Sequence, residues 1–192
     1  MTKEQKDQLK EWNSTYQYII EKSRKSVSNT RVSRKILDKE KHENLLKDFD
    51  FMLFFTLNNL DLVIGLKHLH ISLIKNNTLE ANYFARFISV QIYEHIKDIK
   101  SYGGLKIRRN IPKENIDLIQ SFNDVNKEFS NLMNRVNTKL KEIRNNTFAH
   151  KEIEGFKQAE LIENIDSEYI LKVGTELFYL NMKFVEVFGK YL

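Results

Sequence analysis

Leu118–Ile143, LIQSFNDVNKEFSNLMNRVNTKLKEI, is the stretch on which the fold turns. Leu118, Phe122, Val125, Phe129, Leu132, Val136, Leu140 and Ile143 recur at intervals of three and four. That is the period of an α-helix with one apolar seam, and lysines, glutamates and asparagines cover the remaining faces. The spacing predicts a helix over about 113–144, and a seam this long needs a partner helix. One candidate follows it: Tyr169, Val173, Leu177, Leu180, Phe184 and Phe188 repeat the pattern over about 166–190.

Working outward, helical periods recur along most of the chain. Leu9, Trp12, Tyr16 and Ile20 share a face over about 3–22. Residues 40–75 are apolar on nearly every side, which predicts one bent helix or two at the centre of a bundle. Asn76 and Asn77 end that region, and Thr78 with Glu80 begins a helix running to about Lys100. Its core stripe is Phe84, Ile88, Ile92, Ile96 and Ile99, while Arg86, Tyr93 and Lys97 line up on another face. No strand pattern or internal repeat interrupts the series. The expected architecture is all-α: an up-and-down bundle of four to five helices in a single domain over 1–192, with its core at about 45–190.

Two segments read as connections. From Lys22 to Lys35 there are six bases, four serines and no acid, so 22–38 is expected to be a basic linker or arm. Ser101–Pro112, SYGGLKIRRNIP, is expected to be an exposed glycine-containing loop. Lys100, Lys106, Arg108, Arg109 and Lys113 would let it grip a nucleic acid strand, with Tyr102 available to stack on a base.

Composition narrows the functions. The 192 residues include 30% charged residues and no cysteine, which excludes disulfides, thiolate metal sites and cysteine nucleophiles. The N-terminus lacks the apolar core of a signal peptide. Phe51–Leu66 is the one membrane suspect, but Asn58, Asn59 and Asp61 break it, so a buried helix and a cytoplasmic protein are expected, with no membrane partner. The formal net charge is +5 and lopsided: residues 1–151 carry +9, residues 152–192 carry −4. A one-sided positive surface attracts a polyanion such as RNA. His68 and His70 point different ways on their helix, Glu94, His95 and Asp98 read as a solvated face, and His42 sits in a charged run. No phosphate-cradling glycine loop or Gly-x-Ser-x-Gly elbow is present. No metal and no cofactor are expected.

The helix of the opening stretch runs into IRNNTFAHK, Ile143–Lys151. A left-handed asparagine and a cation could simply close the helix there. The same residues have chemistry: Arg144 lies four after Leu140, at the edge of the seam, and His150 follows within two turns. Histidine titrates near neutrality and arginine offers a planar fork for phosphate. Arg144-Asn145, four residues, then His150, at the end of a long helix in an all-α bundle, resembles the signature of the HEPN family. The form RNNTFAH is most like its abortive-infection branch. At residue level the resemblance covers 144–150; as architecture it covers about 45–190.

The resemblance implies a metal-independent endoribonuclease of toxin or antiphage type, acting on RNA as a homodimer with one composite site. It implies catalytic roles for Arg144 and His150, with Asn145 orienting one of them or the substrate. Arg86, Tyr93, Lys97, Arg108, Arg109 and Lys151 are the candidate substrate-binding residues beside them. An antitoxin or inhibitor protein is a further expected partner. In family toxins controlled by a nucleotidyltransferase, a modified tyrosine often stands two residues after the histidine. Glu152 stands there in this chain, so that form of control is not expected. The alternative is a non-catalytic HEPN-like helical module that binds RNA or a protein partner.

Overall fold

The computed structural model describes residues 1–37, 43–145 and 155–191, and these are helical with no strand among them. Five long helices carry the fold: α1 (Lys3–Ile36), α2 (Glu43–Ile74), α3 (Thr78–Asp98), α5 (Ile116–Arg144) and α7 (Ser167–Tyr191). A three-residue turn, α4 (Arg108–Asn110), and a nine-residue helix, α6 (Gly155–Glu163), complete the set among the described residues.

Side-chain pairs fix the directions. Gln5 Nε2 donates to the Ile74 carbonyl and Arg34 pairs with Asp50, so α1 and α2 are antiparallel. His68 stacks on Phe84 and Gln91 reaches the Asn58 carbonyl, so α3 returns along α2. Lys183–Glu128, Arg135–Glu176 and Lys139–Asp166 run α5 against α7. Ser167 meets Asn82 and Asn181 meets His95, so α3 runs parallel to α7, and successive long helices alternate in direction.

The α2–α3 turn has a clear local cause. Asn76 adopts a left-handed φ of 54°, and the Asn77 N–H reaches back to the Ser72 carbonyl at 2.9 Å, satisfying the end of α2. Asn77 Oδ1 then accepts from the Glu80 N–H and caps α3.

The core is an aromatic and aliphatic cluster that reaches from Tyr16 and Ile20 of α1 to Phe188 of α7. Phe184 is fully buried at its centre, with its ring centroid 4.8 Å from Phe55 and within 6.5 Å of Phe51, Phe122, Phe129 and Phe188. A buried phenylalanine of this kind contributes about 1.5–3 kcal/mol. α2 lies at the middle, between α1, α3 and α7, as its all-round apolarity requires. By length and composition it could cross a bilayer, yet 56% of its most apolar window is buried among the other helices. Gly174 permits the closest approach: a Cβ there would stand 2.6 Å from Leu66 Cδ2.

Two expectations are corrected. Residues 22–36 form no linker, because α1 continues unbroken to Ile36. Tyr16, Ile20, Ser23, Val27, Thr30 and Arg34 repeat at intervals of four and three and face the bundle. Ser23 and Thr30 are seam positions filled by small polar side chains, so the helix can pack there without an apolar signal. Nor is 101–112 a loop. Ile99–Ile107 continues α3 as a wider π-helical segment leading into α4. Ile99, Ile107 and Ile111 are buried, and this burial holds the backbone in helical form despite the paired glycines. At that end of the bundle, the buried Asp48 carboxylate accepts from Asn110 Nδ2 and Tyr191 Oη, both at 2.9 Å.

Candidate functional site

Arg144 is the last residue of α5, one turn beyond the fully buried Leu140. This position at the edge of the seam leaves its side chain 34% exposed. Its Nε donates to Glu94 Oε1 of α3 at 2.6 Å, and Nη1 donates to Asn145 Oδ1 at 3.2 Å. The guanidinium carbon lies 5.6 Å from the Tyr93 ring centroid. A charge-assisted hydrogen bond, an amide oxygen and an aromatic face thus hold one cation. Two of its five N–H groups have acceptors among the described residues, Nε on Glu94 and Nη1 on Asn145.

Asn145 is right-handed, with φ −66° and ψ −42°, and its N–H still bonds to the Lys141 and Glu142 carbonyls. It therefore does not make the left-handed stop that asparagine often makes. Its side chain serves the guanidinium instead. His150 and Lys151 lie outside the described residues.

Of the other expected substrate-binding residues, Tyr93 is the one brought directly to Arg144. Lys97 is exposed one turn beyond Glu94 on α3. Arg86 is half-buried beside the Tyr83 ring, its guanidinium carbon 5.6 Å from the centroid, and lies about 12 Å before Glu94 along the helix. Arg108 and Arg109 are exposed on α4, ahead of α5, whereas Arg144 closes α5. That helix has 29 residues, about 43 Å at 1.5 Å per residue, so the basic turn and the Arg144 cluster lie toward opposite ends of it. Tyr102 is engaged elsewhere: its ring stacks on Phe51 at 4.5 Å, Lys106 Nζ stands 4.7 Å from the ring centroid, and its hydroxyl donates to the Lys47 carbonyl.

Glu94 was read from sequence as part of a solvated face, and the structure makes it the partner of Arg144. No local pattern signals a pair separated by fifty residues. Asp98, one turn on, has its carboxyl raised above the usual range, first by burial and then by Glu94.

His95, adjacent to Glu94, points the opposite way. It is buried, and burial pushes it down to about 4, so it is neutral at pH 7. Its Nε2 lies 3.2 Å from Asn181 Oδ1, and Asn181 Nδ2 donates to Asn59 Oδ1 at 2.9 Å. Among the described residues, no group of three or more histidines and carboxylates is placed to hold a metal ion. No protein-family model, curated protein or solved structure matches the chain.

Proposed function

We propose that the protein is a metal-independent endoribonuclease of the HEPN type, with Arg144, Asn145 and His150 as its catalytic group and a composite site built by two copies. The observation that carries this reading is the Arg144 guanidinium, anchored through Nε by Glu94 of another helix and through Nη1 by Asn145. An arginine that served only to end a helix would need no such support from another element.

The chemistry follows from the side chains. His150 takes the proton from a ribose 2′-hydroxyl, whose oxygen attacks the adjacent phosphorus. The bond from phosphorus to the 5′-oxygen breaks, and a protonated imidazole returns a proton to that leaving oxygen. Arg144 neutralises the charge that builds on the phosphorane oxygens. Because Nε is spent on Glu94, the guanidinium presents its remaining edge in a fixed orientation. The products are a 2′,3′-cyclic phosphate and a 5′-hydroxyl, and DNA is spared because it lacks the attacking group.

The test is incubation of the purified protein with single-stranded RNA in EDTA, with native and His150→Ala chains compared. Cleavage is expected from the first and none from the second, with equal helicity by circular dichroism. Arg144→Lys is expected to stay inactive because an ammonium cannot present a planar fork. Cleavage that survives His150→Ala defeats the mechanism.

A second reading has its own support: Arg24, Arg31 and Lys35 are exposed on α1, and Arg108 and Arg109 on α4. A helical module that binds RNA without cutting it would use these bases. It predicts salt-sensitive binding that weakens on Arg108 and Arg109 substitution and is indifferent to His150.

A further inference from the structure

α1 packs closely on α2, but a cavity of about 430 Å³ opens where α1, α2 and α7 meet. It falls within the size range of small-molecule sites, which bury most of a ligand behind apolar walls and a few placed polar groups. Ile19, Phe178 and Val185 supply apolar wall. A second hollow of about 180 Å³ shares Ile19 and Phe178 with the first and extends toward Trp12, Tyr16 and His70. The two together make an elongated apolar space.

The polar groups in the larger cavity can donate hydrogen bonds. Asn59 is 6% exposed, and its Oδ1 is already taken by Asn181 Nδ2. Asn181 can donate there because its own oxygen faces His95 Nε2. The chain of hydrogen bonds runs one way, and it ends on the Asn59 amide N–H groups, which have no acceptor among the described residues. Ser23 is 9% exposed, and its hydroxyl has no partner among the described residues either. Ser26 adds another hydroxyl. Thr56 is different, since its hydroxyl already donates to the Leu53 carbonyl. Lys22 stands exposed at the rim, 5.4 Å from the Tyr18 ring centroid, and pairs with no carboxylate among the described residues. No acidic residue lines the cavity. The Asn59 amide and the Ser23 hydroxyl are therefore free to donate to a molecule in the cavity, and this floor favours an occupant that accepts hydrogen bonds.

We infer that the cavity between α1, α2 and α7 binds a small free amphiphilic carboxylate. Its anionic head takes hydrogen bonds from Asn59 and Ser23 beside Lys22, and its apolar tail lies along Ile19 and Phe178 toward Trp12. This inference is independent of the role given to Arg144.

Decanoate is the probe, titrated calorimetrically into the full chain at pH 7, below its micelle concentration. Saturable one-to-one binding is expected. Lys22→Glu, an exposed change that leaves the fold intact, is expected to weaken decanoate at least tenfold. Decanol, which has the tail without the charge, is expected to bind at least tenfold more weakly than decanoate and equally to both chains. Ser23→Leu, which fills the floor, is expected to abolish binding. The inference is overturned if decanoate shows no saturable binding, if Lys22→Glu binds it unchanged, or if decanol matches it. Phosphatidylglycerol vesicles provide the last arm. The chain is expected to stay in the supernatant, and pelleting that decanoate does not reverse would assign this face to a lipid surface instead.

Discussion

Glu94 and His95 are consecutive residues of α3 with opposite fates. Glu94 turns outward and holds the Arg144 guanidinium at 2.6 Å in a half-exposed pair. His95 turns inward, neutral, into a buried chain with Asn181 and Asn59. One step of 100° around a helix separates a carboxylate paired with a cation at the surface from an imidazole kept uncharged by burial. In the interior the polar residues bond to one another, although His95 Nδ1 has no partner among the described residues. Polar residues at its edge matter little to stability and much to the placement of one cation.

The largest effect that can break this contrast comes from the core itself. Phe184→Ala removes the ring on which five other phenylalanines converge and is expected to cost about 3–5 kcal/mol, read as a lower urea midpoint. A cost below about 1 kcal/mol would mean that the interior is too loosely packed to hold His95 neutral.

The next effect is a pH dependence. His95 is lowered from 6.5 to about 4 in the folded chain. Between those values the unfolded chain binds a proton that the folded chain does not, so stability falls as the pH falls through that window. The contribution at stake is about 3 kcal/mol, present in full above pH 6.5. His95→Gln keeps a donor for Asn181 and does not titrate. Urea midpoints at pH 7, 5.5 and 4.5 are expected to fall less steeply in that variant than in the native chain. Identical slopes would show that His95 is solvated.

The smallest stability effect belongs to Glu94. Glu94→Gln is expected to change stability by less than about 1 kcal/mol, because the pair is more than a third exposed and solvent screens it. RNA cleavage is expected to fall about tenfold to a hundredfold as Arg144 loses its fixed orientation. Unchanged cleavage beside unchanged stability would make the ion pair incidental and end the contrast from the other side.

Much of the bundle was legible from periodicity. Apolar spacing gives the stripes of α3, α5 and α7, and all but Phe84, Ile143 and Tyr169 of those residues are buried. The α2–α3 turn was read from Asn76 and Asn77. The second half of α1 was not legible, because Ser23 and Thr30 fill seam positions without an apolar signature. Ile99–Asn110 misled in the same way: paired glycines and bases signal a loop, and only burial of Ile99 and Ile107 against the other helices keeps that segment helical. The asparagine rule worked at Asn76 and failed at Asn145, where the side chain had an arginine to engage.

The sequence by itself determined the helical class, the central place of α2 and the position of Arg144 at the edge of a seam. Each of these follows from local spacing and from which face of a helix can afford water. Only the tertiary structure decided that Glu94 meets Arg144, that His95 is kept neutral by burial beside Asn181, and that a cavity with donors on its floor lies behind α1. These depend on pairs fifty, eighty-six and more residues apart, and no local period encodes which groups the packing of helices will bring within hydrogen-bonding distance.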